Sequence, residues 1–243
     1  MTEIAFLDLI WIFIPIAFVY YIYAKWTDDK TTIPYGLSRM FLQLILLGYV
    51  LTFIFTTKEF LYIVGFLSVM LVVASIISMR PVASKDKNMY FMSFLSIFIG
   101  GMITLCFVVG GILDLSLWYE PRYIIPLAGM IFANSMNSVS IAAERFEDEY
   151  NRDKTYTNAY EKARNIAYRA SMIPNINSLF AVGLVLIPGM MTGQILGGVS
   201  PLIAVKYQIM VMCMIISSSG ISTAVFLKLM QNYKIKQKGE ENA

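Results

Sequence analysis

Two asparagines are spaced for one side of a helix within an otherwise apolar stretch. Asn134 and Asn137 stand three residues apart between Tyr123 and Ala143, so a helix would place them on the same face. An amide buried in lipid must find hydrogen-bonding partners. The pair therefore either bonds neighbouring helices or lines a polar path across a membrane, and both interpretations stay open. Asn134 and Asn137 are the candidate path residues.

A second candidate interrupts the apolar stretch from Ile173 to Thr223, which carries a single charge, Lys206. Proline removes a helical hydrogen bond and permits a kink, and irregular backbone at membrane depth is tolerated where protein or water surrounds it. Three glycines at steps of four, Gly189, Gly193 and Gly197, also suit close helix packing. We favour this packing role over direct contact between glycine and substrate. We predict a hinge or path segment containing Pro188, Gly189, Met190, Met191 and Gly193.

The sequence holds no recognisable catalytic motif. It contains no histidine, which removes imidazole ligands and histidine bases, and no GxxxxGK[ST] phosphate loop. Carboxylates fall outside the middle of every apolar segment, which argues against a proton- or sodium-coupled carrier. Met130, Met136, Met190 and Met191 suit soft ions, but packing is the commoner role of methionine, so metal ligands stay unassigned. We predict a chain that is not an enzyme and has no cofactor of its own.

Composition places these residues in a membrane. Of the 243 residues, 58% are hydrophobic and 14% are charged, whereas soluble domains have about 25% charged residues. Since about 20 apolar residues cross a bilayer as a helix, the sequence predicts an all-helical, multi-pass integral membrane protein forming a single domain, 1–243. The seven predicted spans are Ile4–Ala24, Leu37–Thr56, Phe60–Met79, Tyr90–Ile112, Tyr123–Ala143, Met172–Val199 and Leu202–Met230.

Lysine and arginine are distributed unevenly between the two sides of these spans. Sixteen of the 19 lie in the segments after spans one, three, five and seven or within three residues of them, and the other three are Lys58, Arg122 and Lys206. Cytoplasmic loops carry the excess of positive charge. The N-terminus is therefore predicted to lie outside the cell and the C-terminus in the cytoplasm.

The one long linker, 144–171, is predicted to be cytoplasmic and to carry a short amphipathic helix over 156–170. Its apolar positions recur at steps of three and four, as on one helical face. Three roles stay open: lying on the anionic inner leaflet, packing on its own bundle, or docking into a cytoplasmic partner. The candidate docking residues are Thr155, Tyr156, Ala159, Tyr160, Ala163, Arg164 and Ala167.

A joint pattern runs through Ile173–Ser178, Leu186–Gly193 and Lys206–Met210, with Pro126–Ile131 and Glu144–Phe146 upstream. In these segments the chain resembles the FetB-type iron-export ABC transporter permease family, which includes plant half-transporters linked to aluminium tolerance. The resemblance implies a plasma-membrane permease exporting iron or another metal ion. It also implies a homodimer joined to two separate cytoplasmic ATPase subunits, which would hold ATP and magnesium. Residues 153–155 depart from the Gly-Ala-Thr turn that is frequent in the family.

Two other classes of function stay open beside the permease. A channel or carrier would transport without any partner, and a membrane scaffold would bind a partner but move nothing. A non-metal small molecule is the alternative substrate. Membrane lipid surrounds the predicted spans, and nucleic acid is not an expected partner.

Overall fold

The computed structural model describes residues 8–57, 59–82, 86–113, 117–152 and 159–241. Within these ranges every regular element is a helix, apart from one isolated bridge between Val182 and Leu186. The predicted all-helical fold is thus confirmed. After a 3₁₀ turn at Asp8–Ile12, the helices are α1 (Phe13–Thr27), α2 (Thr32–Thr57), α3 (Phe60–Ser78), α4 (Lys87–Gly111), α5 (Pro121–Arg152), α6 (Ala159–Ala181), α7 (Gly189–Leu196) and α8 (Pro201–Glu241).

In the described part of the chain, six helical segments are long and apolar enough to cross a membrane. They match six of the seven predicted spans, and the third, Phe60–Ser78, qualifies with 19 residues. The remaining predicted span, Met172–Val199, is not one continuous helix, because residues 182–188 separate α6 from α7. Gly183 and Pro188 both favour non-helical backbone there. The multi-pass membrane character is confirmed, and the sixth span is corrected to two half-helices.

A second correction concerns the predicted short helix over 156–170. From Ala159 onward it is the first part of α6, which continues without interruption to Ala181. Pro174 lies inside this helix, and the Ser178 hydroxyl donates to the Pro174 carbonyl at 3.0 Å. The linker helix and the start of the sixth predicted span are therefore one element.

The helices form two compact units, 1–57 and 58–243. In the first unit, α1 ends at Asp28 in a left-handed conformation, and Asp29 organises the loop that leads to α2. Hydrogen bonds from the Thr32 side chain and from the N–H groups of Thr31 and Thr32 lower the pKa of the Asp29 carboxyl. This aspartate caps the loop-to-helix junction, as expected of an acidic side chain beside free N–H groups.

The second unit has one continuous core, to which α3, α4, α5, α6 and α8 all contribute. Small residues let these helices approach closely. A Cβ at Gly100 of α4 would lie 2.7 Å from the backbone nitrogen of Ser222 in α8, and the hydroxyls of Ser78 and Ser93 join α3 to α4 at 2.6 Å. This packing fixes the positions of α5, α6 and α8, which surround the candidate site.

Candidate functional site at a broken helix

The chain leaves α6 at Ala181 through a turn held by its own backbone. The Ala181 carbonyl accepts hydrogen bonds from the N–H groups of Val185 and Leu186 at 2.8 and 3.0 Å, and the Gly183 N–H donates to the Leu186 carbonyl at 3.0 Å. Gly183 has a φ of 85°, a left-handed conformation that glycine adopts without a Cβ clash. The break is therefore a defined turn and not a simple proline kink.

The half-helix α7 has eight residues and ends in a tight turn into α8. Gly198 has a φ of 91°, its N–H donates to the Ile195 carbonyl, and the Val199 N–H donates to the Gln194 carbonyl. These two bonds are those of a Schellman motif. Pro201 then begins α8, where its fixed φ and missing N–H suit a first helical turn. The helices α7 and α8 are joined as a short helical hairpin.

A hydrogen bond between α5 and α6 locates the break along the predicted span. The Asn175 amide donates to the Ser138 hydroxyl at 3.0 Å. From Asn175 to Ala181, α6 advances about 9 Å at 1.5 Å per residue. The end of α6 is thereby level with the middle part of the predicted span Tyr123–Ala143. In a bilayer crossed by α5, the turn would lie well below the surface.

A cavity of about 250 Å³ lies where the break meets α5, α6 and α8. No charged side chain is among the described residues that line it. Thioethers and neutral polar groups share its wall. The polar side chains are Asn134, Asn175, Ser178 and Gln208, the methionines are Met130, Met190 and Met212, and Pro188 and Gly189 contribute from the break.

Two amide groups of this cavity, those of Asn134 and Asn175, use an N–H donor within the protein. Asn134 donates to the Met130 carbonyl at 2.8 Å, and Asn175 donates to Ser138. Gln208 is 7% exposed, and its Oε1 atom has no hydrogen-bond partner among the described residues. The unused hydrogen-bonding capacity of these side chains thus includes acceptor oxygens. Such neutral oxygens can bind a cation or a polar solute that donates hydrogen bonds.

The structure brings part of the predicted path together at this cavity. Asn134, Pro188, Gly189 and Met190 all line it, whereas Asn137 is exposed and is not among the lining residues.

Two further predicted residues lie elsewhere. Met191 lines an adjoining groove of about 560 Å³, which shares Leu186, Pro188, Gln208 and Met212 with the cavity. Gly193 is exposed, and no atom of the described residues lies within 4 Å of the place where its Cβ would stand. The predicted segment therefore divides between the cavity, the groove and an open helix face.

Sequence reasoning did not single out Asn175 and Gln208 as site residues. Asn175 belongs to the set Ala163, Ala167 and Ser171 at steps of four, all of which are buried. Extending that apolar periodicity by one step would have found it. Gln208 comes from α8, and no local spacing connects it to α5 or α6.

The candidate docking residues at the start of α6 are mostly packed inside the second unit. Ala159, Ala163 and Ala167 are 8%, 1% and 0% exposed, so the apolar face of the predicted amphipathic helix packs on its own bundle. Arg164 keeps partial exposure, with its guanidinium 5.8 Å from the centre of the Tyr160 ring. Thr155 and Tyr156 lie outside the described residues.

Tyr160 links the start of α6 to two other helices. Its hydroxyl donates to the Leu227 carbonyl of α8 at 2.6 Å, and its ring meets Phe146 of α5 edge-on at 5.7 Å between centroids. Burial raises the pKa of Tyr160, so this donor keeps its proton at neutral pH. The predicted cytoplasmic ends of α5, α6 and α8 are thereby tied together.

The family model for the uncharacterised protein family UPF0014 matches residues 5–234. The chain belongs to the UPF0014 family. UPF0014 membrane protein slr1647 of Synechocystis is 35% identical over 197 residues, covering 76% of each chain. No solved structure gives a significant match.

Two relatives of this UPF0014 chain have names that describe a role. The probable iron export permease protein FetB of Escherichia coli is 32% identical over 208 residues, covering 79% of this chain and 76% of FetB. Protein ALUMINUM SENSITIVE 3 of Arabidopsis thaliana is also 32% identical, over 203 residues that cover 78% of this chain and 72% of that protein. The predicted resemblance to this family is confirmed.

Proposed function

We propose that this UPF0014 chain is the permease subunit of an ABC transporter that exports a metal ion, iron first, across the plasma membrane. The observation that carries the proposal is the cavity at the broken helix, lined by the amides of Asn134, Asn175 and Gln208. The name of the FetB relative supports iron as the substrate.

The cavity chemistry suits transient binding of a cation. Amide oxygens are ligands for metal ions, and thioethers extend the range toward softer ions. A transport site must bind strongly enough for entry and weakly enough for release. Neutral oxygens bind a cation less tightly than a set of carboxylates would, so they suit both its entry and its release.

The break is the natural moving part of this mechanism. Discontinuous helices commonly form transport sites near mid-membrane. A change at Pro188 and Gly189 would alter the cavity wall directly, because both residues line it. Reorientation of α7 would then expose the site alternately to the two sides.

ATP hydrolysis belongs to two separate cytoplasmic ATPase subunits, which hold ATP and magnesium and serve a pair of permease chains. They would contact the α5–α6 end near Thr155, Tyr156 and Arg164. The buried alanines keep α6 seated on its neighbours. The bond from Tyr160 to the Leu227 carbonyl would carry movement into α8, whose Gln208 lines the cavity.

Transport in proteoliposomes tests the proposal. The chain is reconstituted with the ABC ATPase that co-purifies with it, and ATP-dependent movement of radioactive iron is measured against other metals. Gln208→Leu removes a buried acceptor at similar volume, and we expect it to reduce iron movement about tenfold or more, equivalent to about 1.4 kcal/mol. Asn137→Leu is the matched control, and it should transport like the parent protein.

Each alternative function gives a different result. Iron movement without the ATPase would favour a channel or carrier, and a stable ATPase complex that moves no solute would favour a scaffold. If another solute moves in an ATP-dependent way and iron does not, that solute would replace iron as the proposed substrate. If Gln208→Leu transports iron as well as the parent protein does, the cavity is not part of the transport path.

A further inference from the structure

Toward the predicted cytoplasmic side of the cavity, the core of the second unit contains hydroxyl groups without partners. Among the described residues, no hydrogen bond reaches the hydroxyl oxygens of Ser135 in α5 and of Ser219, Ser222 and Thr223 in α8, and all four residues are fully buried. A buried hydroxyl without a compensating hydrogen bond destabilises the fold. Groups of this kind therefore require a physical reason.

Two of these hydroxyl groups extend the face of α8 that lines the cavity. An α-helix turns about 100° and rises about 1.5 Å per residue, so Ser219 lies about 20° around the helix axis from Gln208 and about 16 Å further along it. Thr223 lies about 60° from Gln208 and one turn beyond Ser219, and the cavity residue Met212 lies at about 40°. Ser219 and Thr223 thus continue the cavity wall toward the predicted cytoplasmic end of α8.

Two more buried hydroxyl groups come from α5 and α6. Ser138 accepts the hydrogen bond from the cavity amide of Asn175, Ser171 lies one turn of α6 before Asn175, and both serines are buried. A Cβ at Gly220 would lie 3.6 Å from the Met172 side chain, so this part of α8 packs against the same turn of α6. The polar wall therefore continues on three helices. We call its residues the hydroxyl seam: Ser138, Ser171, Ser219 and Thr223.

Aromatic side chains close the hydroxyl seam on the predicted cytoplasmic side. Phe226 is fully buried and lies on the same face of α8 as Ser219, about 10 Å beyond it. Phe146 of α5 is also fully buried, and its ring contacts that of Tyr160. The Tyr160 hydroxyl binds this cluster to α8 at the Leu227 carbonyl. A path along the hydroxyl seam would therefore be shut here in this conformation.

We propose that the hydroxyl seam is the inner half of the transport path, and that Phe146 and Phe226 close it until α8 moves away from α5 and α6. Hydroxyl oxygens can bind a cation directly or hold the waters that accompany it. Because Ser219 and Thr223 gain hydrogen-bond partners when water enters, their burial without partners favours opening. The inference rests on the proposed function, since it assigns further residues to the path of the same permease.

Cysteine accessibility tests this path. In a background with Cys106→Ala and Cys213→Ala, Ser219→Cys places a thiol of nearly the same size in the hydroxyl seam. A small cationic methanethiosulfonate is added to inside-out membrane vesicles that contain the chain and its co-purifying ATPase. With ATP, it should label Ser219→Cys at least about tenfold faster than Ser93→Cys, a ratio equivalent to about 1.4 kcal/mol. Ser93 is the matched control, because it is fully buried and its hydroxyl is joined to that of Ser78 between α3 and α4.

Thr223→Val separates a role in the path from a structural role, because it removes the hydroxyl and keeps the shape of the side chain. Loss of an unpartnered buried hydroxyl should leave the melting temperature unchanged or raise it, whereas ATP-dependent iron transport should fall about tenfold. Thr104→Val is the matched control. Thr104 is buried in α4 and its hydroxyl donates to the Gly100 carbonyl at 2.8 Å, so this variant should melt at a lower temperature and transport like the parent protein.

The two measurements also separate this inference from the proposed function. Labelling of Ser219→Cys as slow as that of Ser93→Cys would overturn the inference, even if iron moves. Parental transport by Thr223→Val would overturn it too. Rapid labelling of Ser219→Cys in vesicles that move no metal would support a path along the hydroxyl seam and overturn the proposed function alone.

Discussion

At the scale of single residues, Gly100 marks the closest approach of α4 to α8. A Cβ there would lie 2.7 Å from the Ser222 nitrogen and 3.0 Å from the Ser218 carbonyl oxygen. Both are backbone atoms, so they cannot rotate aside. Gly100→Ala should separate the two helices and lower the free energy of unfolding by about 1–3 kcal/mol. Thermal unfolding of the purified protein in detergent measures this loss.

Gly110→Ala is the matched control on the same helix. In the part of the chain that the structure describes, no atom lies within 4 Å of the place where its Cβ would stand, and alanine favours a helix over glycine by up to about 1 kcal/mol. Its melting temperature should equal or slightly exceed that of the parent protein. Equal melting temperatures for the two alanine variants would refute the tight contact at Gly100.

At the scale of elements, the turn between α6 and α7 depends on Gly183. Its φ of 85° disfavours any residue with a Cβ by about 1–2 kcal/mol. Gly183→Ala should therefore open the turn, displace the neighbouring cavity wall and slow ATP-dependent transport. Initial transport rates in proteoliposomes, corrected for the amount of folded protein, test this expectation.

Gly65→Ala serves as the comparison for this helix break. Gly65 lies within α3, has open space around it and takes no part in the cavity. Transport by Gly65→Ala should match the parent protein. If Gly183→Ala transports equally well, the left-handed turn is not needed for transport.

At the scale of the whole molecule, charge distribution predicts the orientation in the membrane. With the N-terminus outside, Trp118 would lie on the external face and Asn151 in the cytoplasm. In the cysteine-free background, a membrane-impermeant maleimide should label Trp118→Cys on intact cells. It should label Asn151→Cys only after permeabilisation. The reverse labelling pattern would show that the positive-inside rule fails for this chain.

Helix positions could be predicted because apolar length is a local property. The end of α6 could not be predicted in the same way. It lies at Ala181, seven residues before Pro188, and is fixed by hydrogen bonds from the Val185 and Leu186 N–H groups to the Ala181 carbonyl. The proline marks where the second half-helix begins, not where the first one ends.

The residues of the site could be predicted only in part from the sequence, for a related reason. Asn134 and Asn137 are about 60° apart around the helix axis, and the cavity admits only Asn134. Asn175 and Gln208 reach the same cavity from other helices. Sequence spacing within one segment does not encode such tertiary pairing, which depends on how α5, α6 and α8 pack.

The length of α8 has a mechanical consequence. Its 41 residues make a rod about 60 Å long, and the near-contact with Gly100 divides that rod into two unequal arms. The helix would pivot at this contact, so that a small displacement of its predicted cytoplasmic arm would tilt the other arm as well. With an arm of about 28 Å from Pro201 to Gly220, midway between Ser218 and Ser222 that approach Gly100, a tilt of about 10° displaces the start of α8 by about 5 Å. Since α7 is joined to that start by the Gly198 turn, this tilt would move α7 with it.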